Sequence, residues 1–306
     1  MIACQEPIRH DTLIAALNSV VGMEAQAVRP GYWTLAGGRA GEPAVIVELA
    51  EDRWLQFTTT APAGRFHGAA APGCAWDLLI VNGNLAGAAK FVLPPGSDRV
   101  TALRELWLEG EACDNEADEA GTTVSAARVR EAVDDLEEAM ENLRGDRSNR
   151  AGKAAPEGPA QEVDLPGLCH LAGWPWNGRA EGRIAVPLDV PGSYAQAILF
   201  PGCRVRATVE LPLGQQGLSS LSRQAVGSVL LRLAGRVRWV RSAVHAGAEG
   251  QSAVLEAQLG PAPSAAALNH LLAALSVATR MTIRELPALA CPEVAEKYLT
   301  IRGWSP

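Results

Sequence analysis

The chain has 306 residues, of which 48% are hydrophobic and 20% charged. This is a globular composition, long enough for two domains of about 130–150 residues. Its net charge of −7 argues against a general nucleic-acid binder, and it divides unevenly. Residues 1–150 carry 13 basic and 23 acidic side chains, while residues 151–306 carry 14 and 11, so the halves are suited to attract one another.

In chain order, residues 11–21 place Leu13, Ile14, Leu17 and Val20 at helical spacing, with Asp11 or Thr12 as cap and Gly22 as stop. Three strand-like runs follow, over 32–36, 44–49 and 53–59, parted by Gly37-Gly38 and Glu51-Asp52. A helix over 74–81 stops at Asn82-Gly83. Strands over 88–93 and 99–108 flank a Pro-Pro-Gly-Ser-Asp turn. An acidic loop then leads into a long amphipathic helix over 123–143, whose Val129, Val133, Leu136, Met140 and Leu143 step by 4, 3, 4 and 3. Residues 146–165 lack apolar periodicity and read as a linker.

The second half replays this order. Strands are predicted over 183–188, 194–200 and 204–211, a helix over 218–233, a strand pair over 237–245 and 253–258, and a helix over 264–285. Asp164-Leu165-Pro166-Gly167 predicts a degenerate first helix in this copy, and 292–301 adds a terminal helix. Residues 44–63 lie on 195–214 at a shift of 151, which sets Arg53 on Arg204. Leu78-Leu79-Ile80-Val81 meets Leu230-Leu231-Arg232-Leu233 at a shift of 152. A fixed period of this kind predicts an α+β protein made of two tandem repeats of an α-β-β-β-α-β-β-α domain with antiparallel sheets. The boundaries are 1–145, a linker over 146–165, and 166–306.

Reaction signatures are scarce. The sequence holds no nucleophile elbow, no phosphate-binding Gly-Lys-Ser/Thr loop and no His-Glu-x-x-His. The five histidines, His10, His67, His170, His245 and His270, include no two at metal-ligand spacing. The acidic run from Glu109 to Glu119 lacks the ordered ligands of a calcium loop. No enzyme activity and no cofactor or metal are therefore expected. Six scattered cysteines form no Cys-x-x-Cys and read as buried thiols in a reducing compartment. With no leader-like start and no apolar run of about 18 residues, the expected location is cytoplasmic, without a membrane partner.

Two surfaces remain as candidates. Arg232, Arg236, Arg238 and Arg241 surround Trp239 and suit either an anionic partner or the acidic first half. Trp33 and Trp54 lie in neighbouring predicted strands and are expected to share a sheet face.

Leu78-Leu79-Ile80-Val81-Asn82, Gly87, Phe91-Val92-Leu93, Gly96 and the run 100–108 carry a further clue. Their order resembles the middle segment of the chaperones of bacterial type III secretion, over the whole first half and more loosely the second. Pro94-Pro95 stands where that family commonly has an acidic turn residue, and Ala234 replaces the Asn in the second copy. Those chaperones are homodimers, so the resemblance implies an intramolecular pseudo-dimer that binds a polypeptide client without turnover. The sheet face bearing Trp33, Val45, Val47, Trp54 and Phe57 would hold the client. A regulatory or ligand-sensing module of the same fold, with no client, is the alternative.

Overall fold

The computed structural model describes residues 10–18, 23–37, 44–51, 54–61, 66, 73–94, 97, 99–108, 126–144, 162–202, 204–213, 217–247, 250–260 and 263–302. The acidic run 109–119 and most of the predicted linker lie outside the described residues.

The first half comprises α1 (His10–Asn18), β1 (Met23–Arg29), β2 (Tyr32–Gly37), β3 (Val45–Ala50), β4 (Trp54–Thr60), α2 (Ala75–Asn84), β5 (Lys90–Val92), β6 (Thr101–Trp107) and α3 (Ala126–Arg144). Its strands form one antiparallel sheet in the order β1-β2-β3-β4-β6-β5. The second half comprises α4 (Leu165–Ala172), β7 (Asn177–Gly178), β8 (Ile184–Pro187), β9 (Gln196–Phe200), β10 (Arg206–Glu210), α5 (Ser220–Ala234), β11 (Arg241–Gly247), β12 (Gly250–Gln258) and α6 (Ala265–Thr282). Its strands form a second antiparallel sheet in the order β7-β8-β9-β10-β12-β11. Short helices α7 (Leu286–Leu289) and α8 (Pro292–Ile301) close the chain. The fold is α+β, and the two sheets follow one strand order.

Each sheet has six strands where five were expected. β1 was missed because the alternation of Met23, Ala25 and Ala27 rests mostly on small side chains that carry little apolar signal. It is an edge strand, bonded to β2 alone, and its described side chains from Gln26 to Arg29 are exposed. An edge strand needs no buried face on its open side. Arg29-Pro30-Gly31-Tyr32 turns β1 into β2, with Gly31 at φ 72°, where a side chain would be strained. β7 is only two residues long.

The first helix of the second half is also better formed than its sequence suggested. Asp164 accepts a hydrogen bond from the Gly167 N–H at 3.1 Å, and Gly173 ends α4 in the left-handed conformation at φ 76°. Pro166 sits in the first turn, where its missing N–H leaves no intrahelical bond unmade.

Burial decides which faces are available. In the first sheet Trp33 pairs with Val47, and Val47 with Phe57. Trp33, Leu35, Val45, Val47, Leu55 and Phe57 are all buried, as are Leu13 and Leu17 of α1 and Val129, Val133, Leu136 and Met140 of α3. The long helix therefore buries the stripe its periodicity predicted. Each such large side chain contributes about 1.5–3 kcal/mol on leaving water. The second sheet does the same with Leu199, Ala207, Val209 and Leu255 under Leu268, Leu271, Leu272 and Leu275 of α6.

The expected client-holding face is thus corrected. Trp33 is 3% exposed and Val47 and Phe57 are fully buried, so the protein's own interior occupies the place assigned to a client. Trp54 does not share that face. It neighbours inward Leu55 in β4, so its side chain emerges on the opposite side.

Candidate functional site: the surface between the two halves

The outer face of the first sheet receives the second half. At its centre Lys90 of β5 and Glu105 of β6 form an ion pair of 2.7 Å, their side chains 3% and 4% exposed. The Lys90 ammonium also donates to the carbonyls of Val240 at 3.1 Å and Val237 at 3.3 Å. Glu105 accepts from the Trp239 N–H at 2.9 Å and from Gln56 Nε2 at 3.3 Å. Trp239 holds φ 64°, a strained value for a large residue, and that backbone turn aims its N–H at the carboxylate. Burial pushes the Lys90 ammonium below its ordinary value, although Glu105 opposes the shift.

A second buried pair lies on the other side of the same surface. Arg241 of β11 donates to Glu256 of β12 through Nη2 at 2.8 Å and Nε at 3.1 Å. Its Nη1 donates to the carbonyls of Gly87 at 2.8 Å, Ala89 at 3.3 Å and Leu85 at 3.4 Å, all in the first half. His245 Nε2 lies 2.7 Å from the other Glu256 oxygen. Burial raises the Glu256 carboxyl, but hydrogen bonds from His245 and Arg241 and the Arg241 charge outweigh it and hold the group below its ordinary value.

The two pairs correspond in sequence. Lys90 and Arg241 are 151 positions apart, and so are Glu105 and Glu256. In each half the cation reaches backbone carbonyls in the helix-to-strand connection of the other half. The strand registers differ: Lys90 is opposite Leu103 and meets Glu105 diagonally, whereas Arg241 is directly opposite Glu256.

Helix contacts are reciprocal as well. Gly227 of α5 lies where a Cβ would fall 2.9 Å from the Trp76 nitrogen and 3.0 Å from Ala75 Cβ. Ala75 and Gly227 are 152 positions apart, so α2 and α5 cross near corresponding residues. A Cβ on Gly83 would meet the Val244 carbonyl at 2.6 Å, and one on Gly235, its counterpart at 152, would meet the Leu93 carbonyl at 3.2 Å. Small residues at these points let helix and strand backbones touch. Asn82 completes the polar layer. It accepts from the Phe91 N–H at 2.7 Å and donates to the carbonyls of Phe91 at 3.3 Å and Ser242 at 2.9 Å.

Aromatic side chains seal one end. The Trp239 ring is edge-on to Trp54 at 5.2 Å and to Trp107 at 5.4 Å, and His270 lies 4.5 Å from Trp107. Arg238 stacks on Trp54 at 5.2 Å and bridges Glu51 at 3.0 Å. Of the four arginines singled out around Trp239, Arg238 and Arg241 therefore engage the first half. Arg236 is exposed and Arg232 half-buried. Arg204 of the second half also pairs with Glu131 of α3 at 2.7 Å, so this pair and Arg238–Glu51 each set a base of the second half against an acid of the first.

Lys90 and Glu105 were not singled out from the sequence. A signal was present, because both are charged residues inside otherwise apolar strands, and basic and acidic residues recur 151 positions later. Among the described residues no three histidine, cysteine or carboxylate side chains gather as a metal site, and no helix is long and apolar enough to cross a membrane. No family model, curated protein or solved structure matches the chain.

Proposed function

We propose that this chain is a non-enzymatic protein-binding module, similar to a type III secretion chaperone, whose two halves form an intramolecular pseudo-dimer that holds a polypeptide client. The observation that carries the reading is the reciprocity of the surface between the halves. In an isologous contact residue i meets j and j meets i. Here Lys90 and Arg241 each reach the other half's carbonyls, and Gly83 and Gly235 each sit under the other half's strand. Two unlike domains have no reason to contact one another in this pattern, whereas a fused homodimer does. Fusion also raises the effective concentration of the partner half to roughly millimolar.

Because the inner face of the first sheet is filled, the client takes an outward surface. Among the described residues two stand out: the edge of β1 away from β2, where Val28 is 61% exposed, and the outer face of β8–β10 around Phe200 and Arg206.

Two experiments test the reading. A protease site placed within residues 145–161 allows the purified chain to be cut in place. The halves should stay together in gel filtration and separate when Arg241→Glu is introduced; fragments that separate without that change refute the pseudo-dimer. Full-length tagged protein purified from its own cell should carry a polypeptide in stoichiometric amount. A retained small molecule would favour a ligand-sensing module instead.

A further inference from the structure

Over β8, β9 and β10 the outer face of the second sheet gathers arginines around one aromatic ring among the described residues, with exposed Glu210 at the far end of β10. Phe200 of β9 pairs with Arg206 of β10, and Arg183 lies just before Ile184, the partner of Leu199. The two guanidinium groups flank the Phe200 ring, Arg206 at 4.5 Å and Arg183 at 5.2 Å from its centroid. Two residues before Phe200 on the same face is half-buried Ile198, and two further is Gln196, which accepts from Arg179 at 3.0 Å. Arg183 bridges Glu181. Arg179 and Arg206 meet no carboxylate among the described residues, and both are exposed.

We propose that this face docks an extended acidic segment of the polypeptide client, a step that rests on the reading above. Its carboxylates would pair with Arg179, Arg183 and Arg206 while an apolar side chain between them covers Ile198 and the edge of Phe200. Alternate side chains of an extended segment lie about 7 Å apart, a spacing suited to arginines that converge from neighbouring strands on one ring. Guanidinium groups already stacked on an aromatic face lose little freedom on meeting a carboxylate and bind it bidentately. Charge favours a peptide over a nucleic acid. Three arginines on a chain of net charge −7 cannot neutralise a backbone with a phosphate about every 3.4 Å per strand.

The test uses the full chain and a fluorescein-labelled peptide of alternating Glu and Leu, followed by fluorescence anisotropy. The wild type should bind it, more weakly as salt rises, and should bind a matched Lys-Leu peptide far less. Arg183→Gln with Arg206→Gln should weaken binding about tenfold or more, with an unchanged thermal midpoint, whereas Arg223→Gln, at an exposed position of α5, should change nothing. Equal binding by the doubly substituted chain overturns the proposal. So does tighter binding of single-stranded RNA through the same arginines, or peptide binding only after deletion of 109–119, which would make the chain's own acidic run the occupant. The two readings fail separately. If no polypeptide co-purifies with the wild type, the client reading fails. If one co-purifies and is retained in full by the doubly substituted chain, only the acidic-segment inference fails.

Discussion

Replacing Lys90 by Met keeps the length and bulk of a side chain that is 3% exposed but removes its charge. The ammonium has three donors, and it finds three acceptors in Glu105, Val240 and Val237. Met leaves the Glu105 carboxylate buried with only the Trp239 and Gln56 donors, and leaves two inward carbonyls without a partner. Removing one member of a buried pair costs about 3–5 kcal/mol. For a chain of this size that is a fall in thermal midpoint of roughly 6–20 °C, taking about 2–4 °C per kcal/mol. Removing both charges is a different perturbation. Lys90→Met with Glu105→Leu deletes the desolvation cost together with the attraction, and apolar replacement of buried pairs is often neutral or stabilising by about 1–4 kcal/mol. The double variant should therefore recover most of the loss, with a coupling energy of at least about 2 kcal/mol.

Urea unfolding followed by tryptophan fluorescence measures all four corners of this cycle. The eight tryptophans include Trp239, whose backbone N–H binds Glu105, so the signal also covers the region of the pair. A pH series adds a sign. With the ammonium pushed below its ordinary value of 10.5, the unfolded chain holds the proton more tightly than the folded one. Stability of the wild type relative to Lys90→Met should then rise with pH from the folded-state pKa up to about 10.5. A single-variant loss under about 1 kcal/mol, or a double variant as unstable as the two losses added, would refute the reasoning.

Trp33→Ala should cost about 3–5 kcal/mol in the same unfolding assay, because Trp33 is core; wild-type stability would return it to the surface. Gly227→Ala forces a Cβ to 2.9 Å from the Trp76 backbone and should cost about 1–3 kcal/mol, while Gly217→Ala, with no atom within 4 Å, should stay within about 0.5 kcal/mol. With iodoacetamide at pH 8, mass spectrometry should find Cys291 labelled in the folded chain and Cys74 and Cys169 labelled only in denaturant. Cys74 and Cys169 are buried, and burial pushes the Cys169 thiol up to about 11. Glu256, held below its ordinary value of 4.5, contributes stability that is present above that pH and lost as pH falls through the folded-state value. The stability difference between wild type and Glu256→Gln should therefore shrink below about pH 4.5 in acid titration followed by circular dichroism.

Legibility in the sequence followed the strength of the local signal. The 4-3-4-3 apolar step of α3 and the leucines of α6 located those helices because one buried stripe dictates a helical period. Central strands β3 and β4 were found by their alternation. β1 was not, since the small Ala25 and Ala27 give its alternation little apolar weight, and α4 was undervalued because Pro166 reads as a breaker anywhere but the first turn. For the site, Trp33, Val45, Val47 and Phe57 share one face, while Trp54, grouped with them from the sequence, lies on the other. Alternation, however, says which residues share a face and not what covers it. Lys90 and Glu105 escaped notice because each is ordinary alone, and only their juxtaposition across two strands gives them a role.

On the pseudo-dimer reading, the places where the two sides differ carry information about pairing. A homodimer must use one residue at both symmetry-related positions, whereas a fused pair can let them diverge. Asn82 bonds the Ser242 carbonyl of the second half. Its counterpart Ala234 packs in a small apolar cluster with Val92 and Leu103 of the first. An Asn in that cluster would bury an amide against Val and Leu, at a cost of about 1–3 kcal/mol if left unbonded. Two copies of the first half would place Asn82 in that position, facing their own Val92 and Leu103. Arg241 likewise reaches three carbonyls and its acid at once, whereas the single ammonium of Lys90 reaches two carbonyls and its acid. These differences favour the pairing of unlike halves over like ones. Fusion supplies that pairing, and once supplied it removes the requirement for symmetry that kept both sides the same.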